Sequence, residues 1–125
     1  MAGVGVKGLG QLAVTVRDAP RATAFYRDVL GLKFLFSAPG MAFFESDGVR
    51  LMLAEPETPS DDHASSVLYF RVDDVDAGYA ALRAHDVVCE GEPHVVHRAG
   101  DHDLWMSFFH DGEGNLHALM EERRK

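Results

Sequence analysis

The sequence predicts an α+β protein built from two tandem βαβββ modules, and three observations carry that prediction. Apolar residues alternate at Leu12, Val14 and Val16, then shift to a helical spacing at Ala22, Phe25, Tyr26, Val29 and Leu30. The same unit returns 56 positions later, where Leu68, Phe70, Val72 and Asp74 stand in the places of Leu12, Val14, Val16 and Asp18. Past the helices the offset grows to 66: "DGVRLML" from Asp47 lines up with "EGNLHAL" from Glu113, each a tight glycine turn leading into a closing strand.

In the first copy a strand is expected over 10–17 and an amphipathic helix over 19–30. Asp18 can cap the helix, Pro20 sits in the first turn where its missing N–H costs nothing, and Gly31 falls where a left-handed residue ends a helix. Strands over 32–37, 41–46 and 49–54 complete module 1, about 8–56. In module 2, about 65–123, the same order predicts a strand over 66–72 and a helix over 74–85. Strands follow over 87–90 with room to extend to 97, over 104–110 and over 115–121, and ten extra residues lie around "EPHVVHRAGDHDLW". The linker, about 57–64 within "EPETPSDDHAS", is rich in Pro, Ser and Asp and reads as an exposed connection.

With 125 residues the chain makes one domain, able to bury roughly two thirds of its unfolded surface without a disulfide or metal. Apolar residues at 46% and charged residues at 26% exclude a disordered or fibrous protein. Twenty acidic residues against twelve basic ones, with no cationic run beyond the terminal "RRK", leave no footprint for nucleic acid. A single cysteine, Cys89, excludes an intrachain disulfide. "MAGVGVKGLG" reads as a flexible start without signal-peptide character, and no apolar run is long enough for a bilayer, so no membrane partner and a cytoplasmic location are expected.

The doubled βαβββ pattern, with "VTVRDAPRATAFYRDVLGLKF" near its start and "FFHDGEGNLHALME" near its end, resembles the vicinal oxygen chelate superfamily of glyoxalase I, extradiol dioxygenases and bleomycin-binding proteins. The resemblance covers almost the whole chain. It implies the glyoxalase/bleomycin resistance fold, a curved, cup-like mixed sheet in which each module makes half a cup, and it implies that small members pair as homodimers. It says little about activity, because the fold hosts many.

In metal-dependent relatives four inward-facing His, Glu or Gln side chains come from the first and last strand of each module. The resemblance places Gln11, Met52, Val67 and Ala118 at those positions, and the offsets of 56 and 66 between them agree with the internal repeat. A divalent ion needs about four to six N or O donors, and of these four residues only Gln11 offers one to a hard cation. A one-residue slip would bring in Leu51, Leu68 and either His117 or Leu119, restoring at most one donor. No metal and no cofactor are therefore expected. The rival reading is a relocated site among His94, His97, His102, His110 and His117, which crowd the last third of the chain. Against it, His94 and His97 are three apart and should point to opposite faces of a strand, "HDHD" reads as a solvated turn, and His117 should face the helix layer as a structural residue.

Residues sharing the inward face include Ala13, Thr15, Arg50, Tyr69, Arg71, Leu116 and Met120, while Leu12, Val14, Leu51, Leu53, Leu68, Phe70 and Val72 face the helices. Both faces thus carry apolar weight, and the second face must be core, dimer contact or pocket. The stretch "LGLKFLFSAPGMAFFESDGVRLML" holds much of it: Phe34, Phe36, Met41, Phe43, Phe44 and Met52, with Tyr69, Trp105 and Met120, suggest a cavity for a flat hydrophobic molecule. Trp105, after the acidic "GDHD", is expected to frame the mouth. Gln11, Arg50, Tyr69 and Arg71 are the polar anchors expected to orient a carbonyl, hydroxyl or carboxylate. The expected ligand-binding set is therefore Gln11, Phe36, Phe43, Arg50, Met52, Tyr69, Arg71, Trp105 and Met120, with no catalytic residue assigned. The expected function is metal-independent sequestration of a hydrophobic, aromatic natural product or antibiotic; the alternative is a lyase, isomerase or dioxygenase of the same superfamily with a non-standard or absent metal site.

Overall fold

The computed structural model describes residues 3–59 and 62–125. Module 1 comprises β1 (Gln11–Thr15), helix α1 (Ala19–Ala24) running on as a π-helical turn (Phe25–Val29), β2 (Lys33–Ala38), β3 (Met41–Ser46) and β4 (Val49–Ala54). Module 2 repeats the order with β5 (Tyr69–Arg71), α2 (Val75–Ala84), β6 (Cys89–Arg98), β7 (His102–His110) and β8 (Leu116–Arg124). The two four-stranded sheets are ordered β1-β4-β3-β2 and β5-β8-β7-β6. In each, the first strand lies parallel to the last and the remaining neighbours are antiparallel. This is the expected mixed α+β architecture.

Both helix starts are fixed as the sequence implies. Asp18 accepts the Arg21 N–H at 3.0 Å and Asp74 accepts the Ala77 N–H at 3.1 Å, each satisfying an otherwise orphaned first-turn donor. The helix expected over 19–30 changes period halfway, with Leu30 N–H reaching back five residues to Phe25 C=O. Phe25 and Leu30 of this widened turn pack on the apolar clusters of both modules.

That contact decides how the modules meet. The Tyr26 ring packs tilted 6.1 Å from Phe44 of β3 and edge-to-face 6.1 Å from His117 of β8, while Phe25 lies 6.3 Å from Phe109 of β7. Strands in one sheet are about 4.8 Å apart, so β3 and β8 could not both reach one ring if the modules lay edge to edge in a single open cup. Instead α1 is shared between the helix-covered faces of both sheets, and each sheet turns its other face away from α1. One chain therefore presents two half-cups.

Strand β5 is shorter than the expected 66–72 because its ladder is interrupted by a side chain. The Leu68 N–H donates to His117 Nδ1 at 3.2 Å rather than to a carbonyl, although Leu68 C=O still accepts from Ala118. Conversely β7 and β8 run longer than the expected 104–110 and 115–121, and they form a three-stranded antiparallel ribbon with β6, which takes up the expected extension and ends at Arg98. Part of the 57–64 linker, residues 60 and 61, lies outside the described residues.

Candidate functional site

Register assigns each paired sheet residue to a face. On the open face of sheet 1 three cross-strand rows follow one another: Lys33, Glu45, Arg50 and Gln11; then Phe36, Phe43, Met52 and Ala13; then Ala38, Met41, Ala54 and Thr15. The opposite face carries Phe44, Leu51, Leu53 and Val14, all buried under α1. Period-2 alternation does this along β3 and β4, but β2 needs a bulge at Leu35. Phe34 consequently pairs with Phe44 on the helix side and Phe36 with Phe43 on the open side, although the two are only two residues apart. Phe34 and Phe44, expected in the cavity, belong to the core side.

The middle row is a stacked apolar floor. The Phe36 and Phe43 rings lie 4.5 Å apart and 23° from parallel. Phe36 is 49% exposed, so the floor is open to an occupant. The first row supplies polarity: Arg50 Nε donates to Gln11 Oε1 at 2.9 Å, and Gln11 Nε2 lies 3.9 Å from the Met52 sulfur. The third row opens into a cavity of about 460 Å³ lined by Thr15, Met41, Met52, Ala54, Glu57 and His63 among others. Glu57 and His63 come from the described parts of the linker and line one end of the half-cup. Sequence reasoning missed both, because a Pro- and Asp-rich connection carries no periodicity that would aim it at a sheet face.

The open face of sheet 2 carries Tyr69, Ala118, Phe108 and Glu90 in one row and Arg71, Met120, Met106 and His94 in the next. Tyr69 and Phe108 meet edge to face at 6.2 Å beside Ala118, and His94 stacks on Phe108. Arg71 reaches Asp47 of the β3–β4 turn at 3.4 Å. Gln11, Phe36, Phe43, Arg50 and Met52 are therefore brought together on one half-cup, and Tyr69, Arg71 and Met120 on the other.

Trp105 is not among them. The β7–β8 register runs without a break from His102 to His110, so Trp105 shares its face with the buried Ser107 and Phe109, not with Met106 and Phe108. It packs on the α2 cluster with the Arg123 guanidinium 4.2 Å above its ring. Its place after an acidic loop suggested a rim; strand parity put it on the helix side.

The histidines are dispersed. His110 meets Glu90 at 2.6 Å and His102 meets Asp101 at 2.8 Å, both near the surface. His94 and His97, expected on opposite faces, share one, since they pair with Met106 and Leu104 across a bulge between Val95 and His97. Among the described residues no three His, Cys, Asp or Glu side chains are arranged to hold a metal ion. At the inherited positions the open-face side chains are Gln11, Met52 and Ala118, with Val67 just before β5, so the donor set does not fit a divalent cation.

His117 is fully buried in the contact between modules. Its Nδ1 accepts from Leu68, so the ring proton sits on Nε2 and is donated to the Tyr26 hydroxyl at 2.9 Å, which donates its own proton to Asp111 at 2.6 Å. Burial, opposed by the Asp111 charge, holds the His117 pKa below its ordinary value, and burial with the Asp111 charge pushes the Tyr26 phenol well above its own. Buried Glu113 continues the seam, accepting from Arg17 N–H at 2.7 Å, Asp18 N–H at 2.9 Å and Arg21 Nε at 2.6 Å. The "DGEGN" turn thus ties module 2 to the start of α1, a structural role on the side of the sheets away from the half-cups.

Comparison with known proteins agrees with this architecture. The chain is 30% identical to the uncharacterized protein YaeR of Escherichia coli, over 95% of this chain and 99% of that one. It is 28% identical to the uncharacterized protein YraH of Bacillus subtilis, over 85% and 91%. A lactoylglutathione lyase from Agrobacterium tumefaciens superposes with a TM-score of 0.73 at 23% identity, over 93% and 94% of the two chains. A glyoxalase/bleomycin resistance protein/dioxygenase superfamily member from Sphaerobacter thermophilus superposes with a TM-score of 0.78 at 20% identity, over 94% and 98%. The family model for the Glyoxalase/Bleomycin resistance protein/Dioxygenase superfamily matches residues 8–119, nearly the whole of both modules, and the chain belongs to that superfamily.

Proposed function

We propose that this chain is a binding member of the superfamily, a cytoplasmic homodimer that takes a hydrophobic, aromatic small molecule into its cup without a metal ion. The observation that carries the reading is the row Phe36, Phe43, Met52 and Ala13: the inherited ligand position on β4 holds a thioether, beside stacked rings that offer a flat partner apolar area. The dimer is part of the proposal because α1 keeps the two half-cups of one chain apart, and a second copy can place its sheet 2 half against this sheet 1 half. Sequestration of an antibiotic or other toxic natural product is the role that suits such a cup.

The test is to titrate purified protein with polycyclic aromatic compounds, following the fluorescence of the compound, alongside metal analysis after dialysis and a mass measurement in solution. Saturable binding, one site per half-cup pair, is expected, and Phe43→Ala should weaken it at least about tenfold, since a ring contact of this size is worth roughly 1.5 kcal/mol. Absence of binding to every compound would end the proposal. Stoichiometric Fe, Zn, Mn or Ni surviving dialysis would favour the lyase, isomerase or dioxygenase reading instead.

A further inference from the structure

We infer that the occupant of the cup carries a carboxylate at one end of its flat apolar body, with the carboxylate docked on Arg50 and the body lying over Phe43 and Met52. The inference rests on the binding role proposed above and narrows it to a ligand class.

Three features of the first row support it. The Arg50 guanidinium is aimed and steadied by a neutral partner, Gln11 Oε1, which uses only one of its five N–H donors. Among the described residues no carboxylate stands within ion-pair distance of Arg50, although Glu45 is its cross-strand neighbour. Even if Glu45 turned toward it, the row would hold two cations, Lys33 and Arg50, against one anion. In a chain of net charge -8 this is a local excess of positive charge, and it borders the apolar floor. The other arginine facing a half-cup, Arg71, already has a carboxylate beside it in Asp47.

Spacing fits the same ligand. Arg50 and Met52 lie two residues apart on β4, so their Cα atoms are about 6.6 Å apart on one face and the polar row borders the apolar floor directly. A planar guanidinium with free N–H groups matches a carboxylate in two parallel hydrogen bonds, which fixes orientation as well as adding affinity. At the far end Glu57 and His63 border the cavity, so a second carboxylate there would meet like charge from Glu57. The ligand class is therefore a monoanion with its charge at one end.

The experiment compares three probes of one shape on the full-length protein at low salt: 2-naphthoate, 2-naphthalenemethanol and 2-naphthylmethylamine. The acid is expected to bind about tenfold more tightly than the alcohol and the amine most weakly, with the margin shrinking in high salt. Arg50→Gln should bring the ratio of acid to alcohol affinity close to one, with an unchanged melting temperature as the folding control. If none of the three binds, the cup reading itself fails. If the alcohol binds as well as the acid, or the amine binds best, the cup reading survives and the carboxylate inference is overturned.

Discussion

Replacing Tyr26 by Phe removes one oxygen from the seam between the modules, and the structure allows the cost to be worked out. Tyr26 is fully buried and its ring contacts with Phe44, Phe25 and His117 are kept by Phe, so no cavity larger than a hydroxyl is created. Two hydrogen bonds are lost. One goes to Asp111, whose Oδ2 retains Asn115 Nδ2 at 2.8 Å. The other comes from His117 Nε2–H, which has no other hydrogen-bond partner among the described residues, Asp111 Oδ2 standing 3.9 Å away, and is left buried and unpaired. A hydrogen bond to a charged group contributes about 1.5–3 kcal/mol and an abandoned buried donor costs about 1–3 kcal/mol, so a net loss of about 3 kcal/mol is expected. In urea unfolding followed by far-UV circular dichroism, at fixed protomer concentration, the midpoint should fall by about 1.5 M with an unchanged slope. A loss under about 0.5 kcal/mol would refute the reasoning, because it would mean the hydroxyl is not held between two buried partners.

Three further expectations come from the same packing. The His117 pKa is depressed in the folded state, so the unfolded chain binds the extra proton first: stability is complete above the ordinary histidine value of about 6.5 and declines as pH falls below it. Urea midpoints measured between pH 8 and 5 should show that decline, and His117→Gln should flatten it. Gly78→Ala in α2 gains roughly 0.5–1 kcal/mol of helix propensity, but its Cβ would lie 2.7 Å from Leu119 Cδ1 in a packed layer. A net loss of about 1 kcal/mol is expected, recovered in part by the double variant with Leu119→Val, and strict additivity of the two would count against the contact. Because Trp105 lies under Arg123 on the helix side, its emission should stay unchanged when a non-absorbing ligand fills the cup and should shift in Arg123→Gln; saturable quenching by the cup ligand would contradict the assigned face.

How much of this is legible in the residues depends on range. Alternation at Leu12, Val14 and Val16, the Asp caps before both helices and the glycine turns at 47–48 and 113–114 are local signals, and they place the elements to within a few residues. The repeat adds register: the same offsets that pair the modules put Gln11, Met52 and Ala118 on the open face, where the structure has them. Bulges defeat this logic, because one unpaired residue at Leu35, or near Val96, reverses the parity of the rest of its strand and has no fixed sequence mark. Simple alternation misplaces Phe34 and His97 for that reason. Trp105 is misplaced for another, since its position after a loop outweighs, in a sequence reading, the alternation it shares with Ser107 and Phe109.

By itself, then, the sequence determined the order of strands and helices, the doubling of the module and the shortage of hard donors at the four inherited positions, where Gln11 alone supplies one, because each depends only on residues a few positions apart or on a repeat that can be counted. Only the tertiary structure decided that α1 is shared by both sheets, that Tyr26, Asp111 and His117 meet, and that Glu57 and His63 line one end of a half-cup. These are contacts between residues as much as 91 positions apart, chosen by where apolar surface and buried donors find partners after the chain folds, and no local pattern records that choice.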